Sequence, residues 1–316
     1  MQAAVVNVLG QAPAYQAFPD PIAVEGEVAI KVRAVGLHPV VKGIAAGSHY
    51  LAGGVLPAVA GIDGVGTLDD GTRVYFGGVR KPWGTMAEWC AVPGSMCLPL
   101  PDGISDLEAA AIANPGMSAW LSLKERAELK PGETVLILGA TGVAGQLAIQ
   151  SARHLGAKRV IAAGRNVGVI ARESVDAIVA LGEPEDAVRE ALIAEATNGI
   201  DVVIDYLWGR PTELFLEALA KTFKPSSTKS TRLVEVGQSA GPTITLPGAV
   251  LRSVDLKLLG SGFGSVPLDT ILTAIPELFE MAAAGKLHVD VEPVPLTDVE
   301  AAWSRVEKGR RIVFSV

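Results

Sequence analysis

Leu136-Ile-Leu-Gly-Ala-Thr-Gly-Val-Ala-Gly-Gln-Leu-Ala148 runs from apolar residues through a glycine-rich turn into a second apolar stretch. It reads as a strand, a tight turn and a helix, with Ala140, Gly142 and Gly145 in the frame of a dinucleotide fingerprint. Gly142 has no Cβ to obstruct a diphosphate, and Gly145 allows close packing of helix on strand. The helix N-terminus adds free N–H groups and the positive end of its dipole. Ala140, Thr141, Gly142, Val143, Ala144 and Gly145 are therefore the candidate phosphate-binding residues. The alternative is a purely structural glycine turn.

Outward from this stretch, the pattern alternates strand and helix. Lys130-Pro-Gly-Glu133 forms the turn into a strand at 134–138, and further strands are expected at 159–163, 177–180, 201–205, 233–236 and 256–260. Helices are expected at 142–154, 185–196, 211–221 and 268–284. Apolar strands joined by crossover helices give a doubly wound parallel sheet. Residues 224–232, rich in Ser, Thr and Lys, read as a polar loop. Upstream, the first hundred residues are β-like: Val28 to Val35 alternates, Arg73 to Phe76 is a short strand, and Gly and Pro punctuate the intervals. Ser105 with Glu108 makes a capping box, and the run 107–129 reads as helices interrupted at Pro115 and Gly116. The tail returns to strand, a helix capped by Thr297, and a strand at 311–316 that pairs back with the first module.

The chain has 316 residues, enough for about two domains at roughly 150 residues each. Its 27 basic and 34 acidic side chains leave a net charge of −7, and the sequence pI is near 5.2. With no basic run, nucleic acid is excluded as an expected partner. Mean hydropathy is +0.36, yet the uncharged stretch between Lys42 and Asp63 contains five glycines and Pro57. No membrane span is expected. The first cation is Lys31, so no secretory leader is expected and the default location is cytoplasmic. Cys90 and Cys97 form no C-x-x-C pair and read as small hydrophobes in or beside a β segment.

The end of the second strand of the parallel sheet selects the cofactor. An acid there would accept from a ribose 2′-hydroxyl, but the chain reads Ala162-Ala-Gly-Arg-Asn166. Gly164, Arg165 and Asn166 are thus candidate contacts, with Arg165 suited to a 2′-phosphate and hence to NADP. The alternative for Arg165 is a solvated loop cation.

The chain also carries Gly36-Leu-His-Pro-Val40, Gly47-Ser-His-Tyr50, Pro57-Ala-Val-Ala-Gly-Ile-Asp-Gly-Val-Gly66 and Gly84-Thr-Met-Ala-Glu-Trp-Cys-Ala-Val-Pro93. After them come Ala109 to Leu121 with Ser118, Leu129-Lys-Pro-Gly-Glu-Thr-Val135, the glycine loop and Asp298-Val-Glu-Ala301. In this order the motifs resemble the zinc-independent medium-chain dehydrogenases/reductases, and within them the quinone oxidoreductase and enoyl reductase-like members. The resemblance covers nearly the whole chain. It implies an α/β protein in which a Rossmann doubly wound parallel sheet at 117–285 accompanies a GroES-like twisted β-barrel catalytic domain at 1–116 and 286–316. It further implies a homodimer formed through the strand at 255–261.

Departures from the zinc-dependent pattern are specific. No Cys follows the Gly-Leu pair, Ile62-Asp63 stands where His-Glu is usual, and the four-cysteine lobe is missing, so no metal site is expected. His38 and Val41 stand where Asn and an acid are frequent. The resemblance implies NADPH along the carboxyl edge of the sheet, with hydride passing to a quinone or an α,β-unsaturated carbonyl. Both acceptors turn hydride into a delocalised oxyanion that needs only hydrogen bonding and a proton. Tyr50 is the leading candidate for that duty, the alternative being that it only shapes the pocket. His38 is a second candidate that would titrate near neutrality, the alternative being a buried structural histidine. His49, His154 and His288 read as ordinary residues. Ser118, Leu207, Trp208, Gly237, Gln238, Ser261, Gly262 and Phe263 match cofactor positions, mostly as backbone or packing contacts. Trp83, Trp89, Trp120 and Trp303 are expected in the core. An NADPH-binding redox sensor or structural protein without turnover stays open as the competing function.

Overall fold

The structure, a computed structural model, describes residues 1–171, 173–222, 230–306 and 309–316. Strands β1 (Gln2–Val6), β2 (Ala14–Ala17), β3 (Glu27–Gly36), β4 (Ala58–Val59), β5 (Asp63–Thr67), β6 (Arg73–Gly77), β7 (Trp89–Pro93) and β8 (Cys97–Pro99), with helix α1 (Pro39–Ala45), precede helix α2 (Asp106–Leu121). Then follow β9 (Thr134–Leu138), α3 (Val143–His154), β10 (Arg159–Gly164), α4 (Val167–Ile170), β11 (Ala177–Ala180), α5 (Glu185–Asn198), β12 (Val202–Asp205) and α6 (Gly209–Lys221). The chain ends with β13 (Ser230–Glu235), α7 (Gly248–Ser253), β14 (Asp255–Gly260), α8 (Leu268–Ala283), β15 (Val291–Pro295), α9 (Val299–Trp303) and β16 (Arg311–Ser315). Two compact units result, Met1–Pro115 with Ile275–Val316, and Gly116–Ala274.

The second unit carries a six-stranded sheet in the order β11-β10-β9-β12-β13-β14. Every pairing in it is parallel. Chain order runs outward from β9 through β10 to β11, then returns to the other side of β9 with β12. The sheet therefore switches direction beside β9, which is where open α/β sheets bind ligands at their carboxyl edge. Residues 135–138, 160–164 and 202–205 are buried without alternation, as strands covered on both faces require.

The first unit has a seven-stranded mixed sheet, β15-β16-β3-β5-β6-β8 with β7 also on β3, and a smaller sheet β2-β1-β4. β3 alternates: Ile30 and Val32 are buried while Lys31 and Arg33 are exposed. β16 pairs antiparallel with the end of β3, so the last strand joins the first sheet. Phe76, Phe314, Ile30 and Leu37 fill the core beneath.

Several local expectations hold. Glu108 N donates to Ser105 Oγ at 3.2 Å and Ser105 N to Glu108 Oε2 at 3.1 Å, closing the capping box. Others are corrected. α2 runs through Pro115 and Gly116 unbroken, followed by a π-helical turn at Ser122–Arg126. The proline forfeits one helical hydrogen bond, but residues 109–113 and 119–121 on either side of it are buried, and that packing carries the helix past it. The two compact units divide within α8, between Ala274 and Ile275. The C-terminal half of α8 packs in the first unit, with Phe279 edge-on to Tyr75 at 5.6 Å. Of the polar stretch at 224–232, residues 224–229 lie outside the described residues, while 230–232 already belong to β13. Trp120 is buried, but Trp89 is 39% exposed and is not core. No described helix is long and apolar enough to cross a membrane.

Candidate functional site

The turn after β9 is fixed by the strand beside it. Gly139 N and Ala140 N both donate to the Ala163 carbonyl at 3.0 Å, and Gly139 adopts φ +92°, a left-handed conformation suited to glycine. Gly142 is the N-cap of α3, and Gln146 N donates back to its carbonyl at 3.0 Å. The amides of Val143, Ala144 and Gly145 thus precede the first helical bond and have no partner within the helix. A Cβ on Gly145 would stand 2.4 Å from the Gly139 carbonyl oxygen and 2.6 Å from the Ala140 Cα. Both are backbone atoms that cannot yield. A Cβ on Gly142 would meet only the Gly139 oxygen, at 3.6 Å, and otherwise open space. The turn therefore offers donors and room where a diphosphate would lie, and it fits a dinucleotide.

At the end of β10, Gly164 lies so close to the turn that its Cβ would come within 2.5 Å of Thr141 Cγ2. Arg165 and Asn166 follow, both exposed, leading into the short α4. Arg165 has no ion-pair partner among the described residues. Ser118, half-buried in α2, lies near the Tyr206 hydroxyl, which is buried and has no hydrogen-bond partner among the described residues. Burial holds the Tyr206 phenol above its ordinary range, so it keeps its proton.

Leu207, Trp208, Gly237 and Gln238 meet at the carboxyl ends of β12 and β13. The buried Asp205 carboxylate accepts from Leu207 N at 2.8 Å and Trp208 N at 3.0 Å, and from the Thr212 hydroxyl at 2.5 Å. Asp205 O accepts from Val236 N and Gly237 N, and Leu207 O from Ala240 N. After β14, Ser261 N donates to Glu235 O and Gly262 N to Ser265 Oγ, with Phe263 partly exposed. The amides of Leu207, Trp208, Gly237, Ser261 and Gly262 are therefore already engaged. Contacts to a ligand at these residues come from side chains and packing, not from those N–H groups.

The two candidates for chemistry lie in different surroundings. Tyr50 is 70% exposed, tilted against His49 at 4.1 Å in a loop whose Leu51 carbonyl accepts from Lys81 Nζ. His38 is fully buried, and its Nε2 stands 3.5 Å from Asp63 Oδ1. Burial, then the Arg311 guanidinium, hold the imidazole well below its usual range, so His38 stays neutral and does not titrate near neutrality. This corrects the expectation and favours the buried structural histidine. Around it lies a cluster of distant residues not expected from sequence. Tyr75 Oη donates to Asp63 Oδ2 at 2.9 Å, and Arg311 Nη1 donates to the Leu37 carbonyl at 2.8 Å. Burial pushes the Asp63 carboxyl up to about 7 against the opposing pull of Tyr75 and Arg311.

Sequence reasoning passed over Gly139, Tyr206, Thr212 and the clamp role of Asp205. An isolated acid ending an apolar strand, followed seven residues later by Thr, was the available signal for Asp205. Gly139 stood in the quoted stretch, and its place at the strand end was the signal for a left-handed turn.

Two expectations follow. Gly145→Ala should cost about 1 to 3 kcal/mol of unfolding free energy because its Cβ meets backbone, whereas Gly142→Ala should leave the thermal midpoint unchanged and weaken the dinucleotide; calorimetry and a binding titration separate the two. Asp63 retains its proton in the fold to about pH 7 but loses it near 3.8 when unfolded. Folding stability attributable to it therefore falls as pH rises through that window, by at most ~1.4 kcal/mol per pH unit. The opposite contribution of neutral His38 is common to parent and variant. Asp63→Asn should gain steadily on the parent in urea titrations from pH 4 to 7, and a pH-independent difference would refute the assignment.

No family model matches the chain. The "Probable NADPH-dependent quinone reductase tdiC" of Emericella nidulans is 28% identical over 346 residues, covering 96% of both chains. The phenolphthiocerol synthesis polyketide synthase type I Pks15/1 of Mycobacterium marinum is 28% identical over 88% of this chain, which spans 13% of that protein's length. The quinone oxidoreductase of Thermus thermophilus, solved also in complex with NADPH, is 30% identical with a TM-score of 0.79, and the match covers 100% of both chains. At 30% identity over the whole of both chains, the chain belongs to the quinone oxidoreductases of the medium-chain dehydrogenase/reductase superfamily.

Proposed function

We propose that the chain is an NADPH-dependent oxidoreductase that reduces quinones or α,β-unsaturated carbonyls without a metal ion. The observation that carries this is the open glycine turn at the N-terminus of α3 with Arg165, unpaired among the described residues, at the end of the next strand. The relatives named as quinone reductases support the acceptor class. The metal-free reading follows the residue types at the positions where the zinc-dependent pattern holds its ligands: Ile62-Asp63 stand where His-Glu is usual, and no Cys follows the Gly36-Leu37 pair. Residues 1–116 and 286–316 serve as the catalytic domain and 117–285 as the cofactor domain.

Bound NADPH supplies the hydride. The chain holds the diphosphate on the free amides of α3, and Arg165 pairs with the 2′-phosphate through charge-assisted hydrogen bonds. Tyr50, exposed and able to donate from its phenol, hydrogen-bonds the oxygen on which negative charge develops. His38, enclosed and neutral beside Asp63, is a structural residue rather than a proton donor.

Arg165→Ala should weaken NADPH binding by about 1 to 3 kcal/mol and leave NADH unchanged, measured by fluorescence titration; equal affinity of parent and variant for NADPH would overturn the phosphate assignment. Turnover, followed as loss of nicotinamide absorbance with a chelator present, should prefer NADPH with a quinone or an enone. Tight NADPH binding with no oxidation on either acceptor would point instead to a sensor.

The chain acts as a homodimer through β14, whose side chains are half-buried or exposed along its length, Leu258 at 38% among them. No described strand pairs with its outer edge. An edge of this kind invites pairing with a second copy. Light scattering should give twice the chain mass, and a monomer at micromolar concentration would refute it.

A further inference from the structure

The segment between β12 and α6 has a conformation that its sequence does not favour. Trp208 adopts φ +53° and ψ −159°, a region kept almost entirely by glycine, and Gly209 follows at φ +58°. A Cβ on Gly209 would stand 2.8 Å from the Ala240 carbonyl oxygen. The elbow is held from both sides. Tyr206 O accepts from the Ser239 hydroxyl at 2.8 Å and Leu207 O from Ala240 N at 2.7 Å. On the other side, one buried carboxylate, that of Asp205, takes Leu207 N and Trp208 N on Oδ1 and the Thr212 hydroxyl on Oδ2.

The place of this elbow in the sheet gives it a function. With Arg165 at the end of β10 and the open glycine turn at the end of β9, the 2′-phosphorylated adenosine half and the diphosphate are accounted for. The other half of a dinucleotide must continue across the switch, over the carboxyl ends of β12 and β13. The elbow stands there and abuts the turn: a Cβ on Gly139 would lie 3.1 Å from Tyr206 Cβ and 3.2 Å from Leu207 Cδ2. Because the amides of Leu207 and Trp208 are consumed by Asp205, the elbow offers ligand a side-chain wall whose shape depends on that carboxylate.

We propose that Asp205 is a positioning residue for the reactive, nicotinamide-bearing half of the dinucleotide, acting through the strained Leu207–Trp208 backbone, with Thr212 fixing its carboxylate. The inference rests on the NADPH reading. It predicts a selective loss, because removing the clamp relaxes the elbow while the glycine turn and Arg165 are untouched.

The test compares two probes on parent, Asp205→Asn, Thr212→Val and Thr212→Ser proteins: NADPH, and adenosine 2′,5′-bisphosphate, which carries only the 2′-phosphorylated adenosine half. Asp205→Asn should raise the Kd for NADPH about tenfold or more and shift that for the bisphosphate less than twofold, by calorimetric titration. Thr212→Val should move in the same direction by a smaller factor, and Thr212→Ser, which keeps the hydroxyl, should match the parent. Equal losses for both probes would mean general loosening of the unit and would overturn the proposal, as would an unchanged NADPH affinity. Should Asp205→Asn fail to fold, the Val and Ser pair at 212 decides by the same comparison. If the parent itself binds neither probe, the NADPH reading fails, and this inference with it.

Discussion

The contact on which the second unit depends is the approach of α3 to the turn that precedes it. At Gly145 the helix backbone comes so near Gly139 and Ala140 that no side chain fits. That proximity fixes where the helix starts, and so where its unpaired amides stand. Because Ala163 on β10 accepts from both Gly139 and Ala140, the turn is tied to the neighbouring strand as well as to its own helix. A turn built this way is tied to the sheet's centre, and a diphosphate held on it would meet a low ordering cost on binding.

Much of this was legible in the chain. Buried parallel strands are apolar without alternation, so 134–138 and the strand ending at Asp205 could be read directly, and Ala140, Gly142 and Gly145 between strand and helix announced the turn. Ser105 and Glu108 gave their capping box because both partners of the bond lie within one helical turn. What stayed hidden depends on partners far apart in sequence. Pro115 reads as a break, yet the helix persists because its flanks are buried, a tertiary fact. His38, Asp63, Tyr75 and Arg311 converge from four separate elements, and no local pattern announces that an imidazole will be walled off there. Had His38 been solvated, its expected titration near neutrality would have stood.

The two buried carboxylates show how satisfaction decides fate. Asp205 has three donors, two of them backbone amides, and both oxygens are used. Asp63 has the Tyr75 hydroxyl on one oxygen, while the other is buried without a hydrogen bond and faces the His38 ring at 3.5 Å. Strain of the kind seen at Trp208 costs roughly 1 to 3 kcal/mol, whereas a hydrogen bond to a charged group is worth roughly 1.5 to 3 kcal/mol. Two such bonds to the elbow's own amides exceed the strain, so the conformation is stable without glycine. Burial raises both carboxyls, that of Asp205 against its three donors and that of Asp63 up to about 7 with Tyr75 as its one side-chain donor.

The same accounting bears on how an acidic chain attracts a polyanion. With a net charge of −7, long-range attraction is absent, and binding must come from local fields. The α3 amides sit against the sheet, where water and ions screen them little. Arg165 projects into solvent, where a Debye length of about 8 Å at physiological salt weakens its pull. On the proposed assignment the two contacts would divide the work: the helix terminus would supply affinity common to any dinucleotide, and the exposed guanidinium a preference for the 2′-phosphate that salt erodes. A chain with its acidity spread elsewhere can in this way discriminate between two nicotinamide cofactors with a single side chain at the end of one strand.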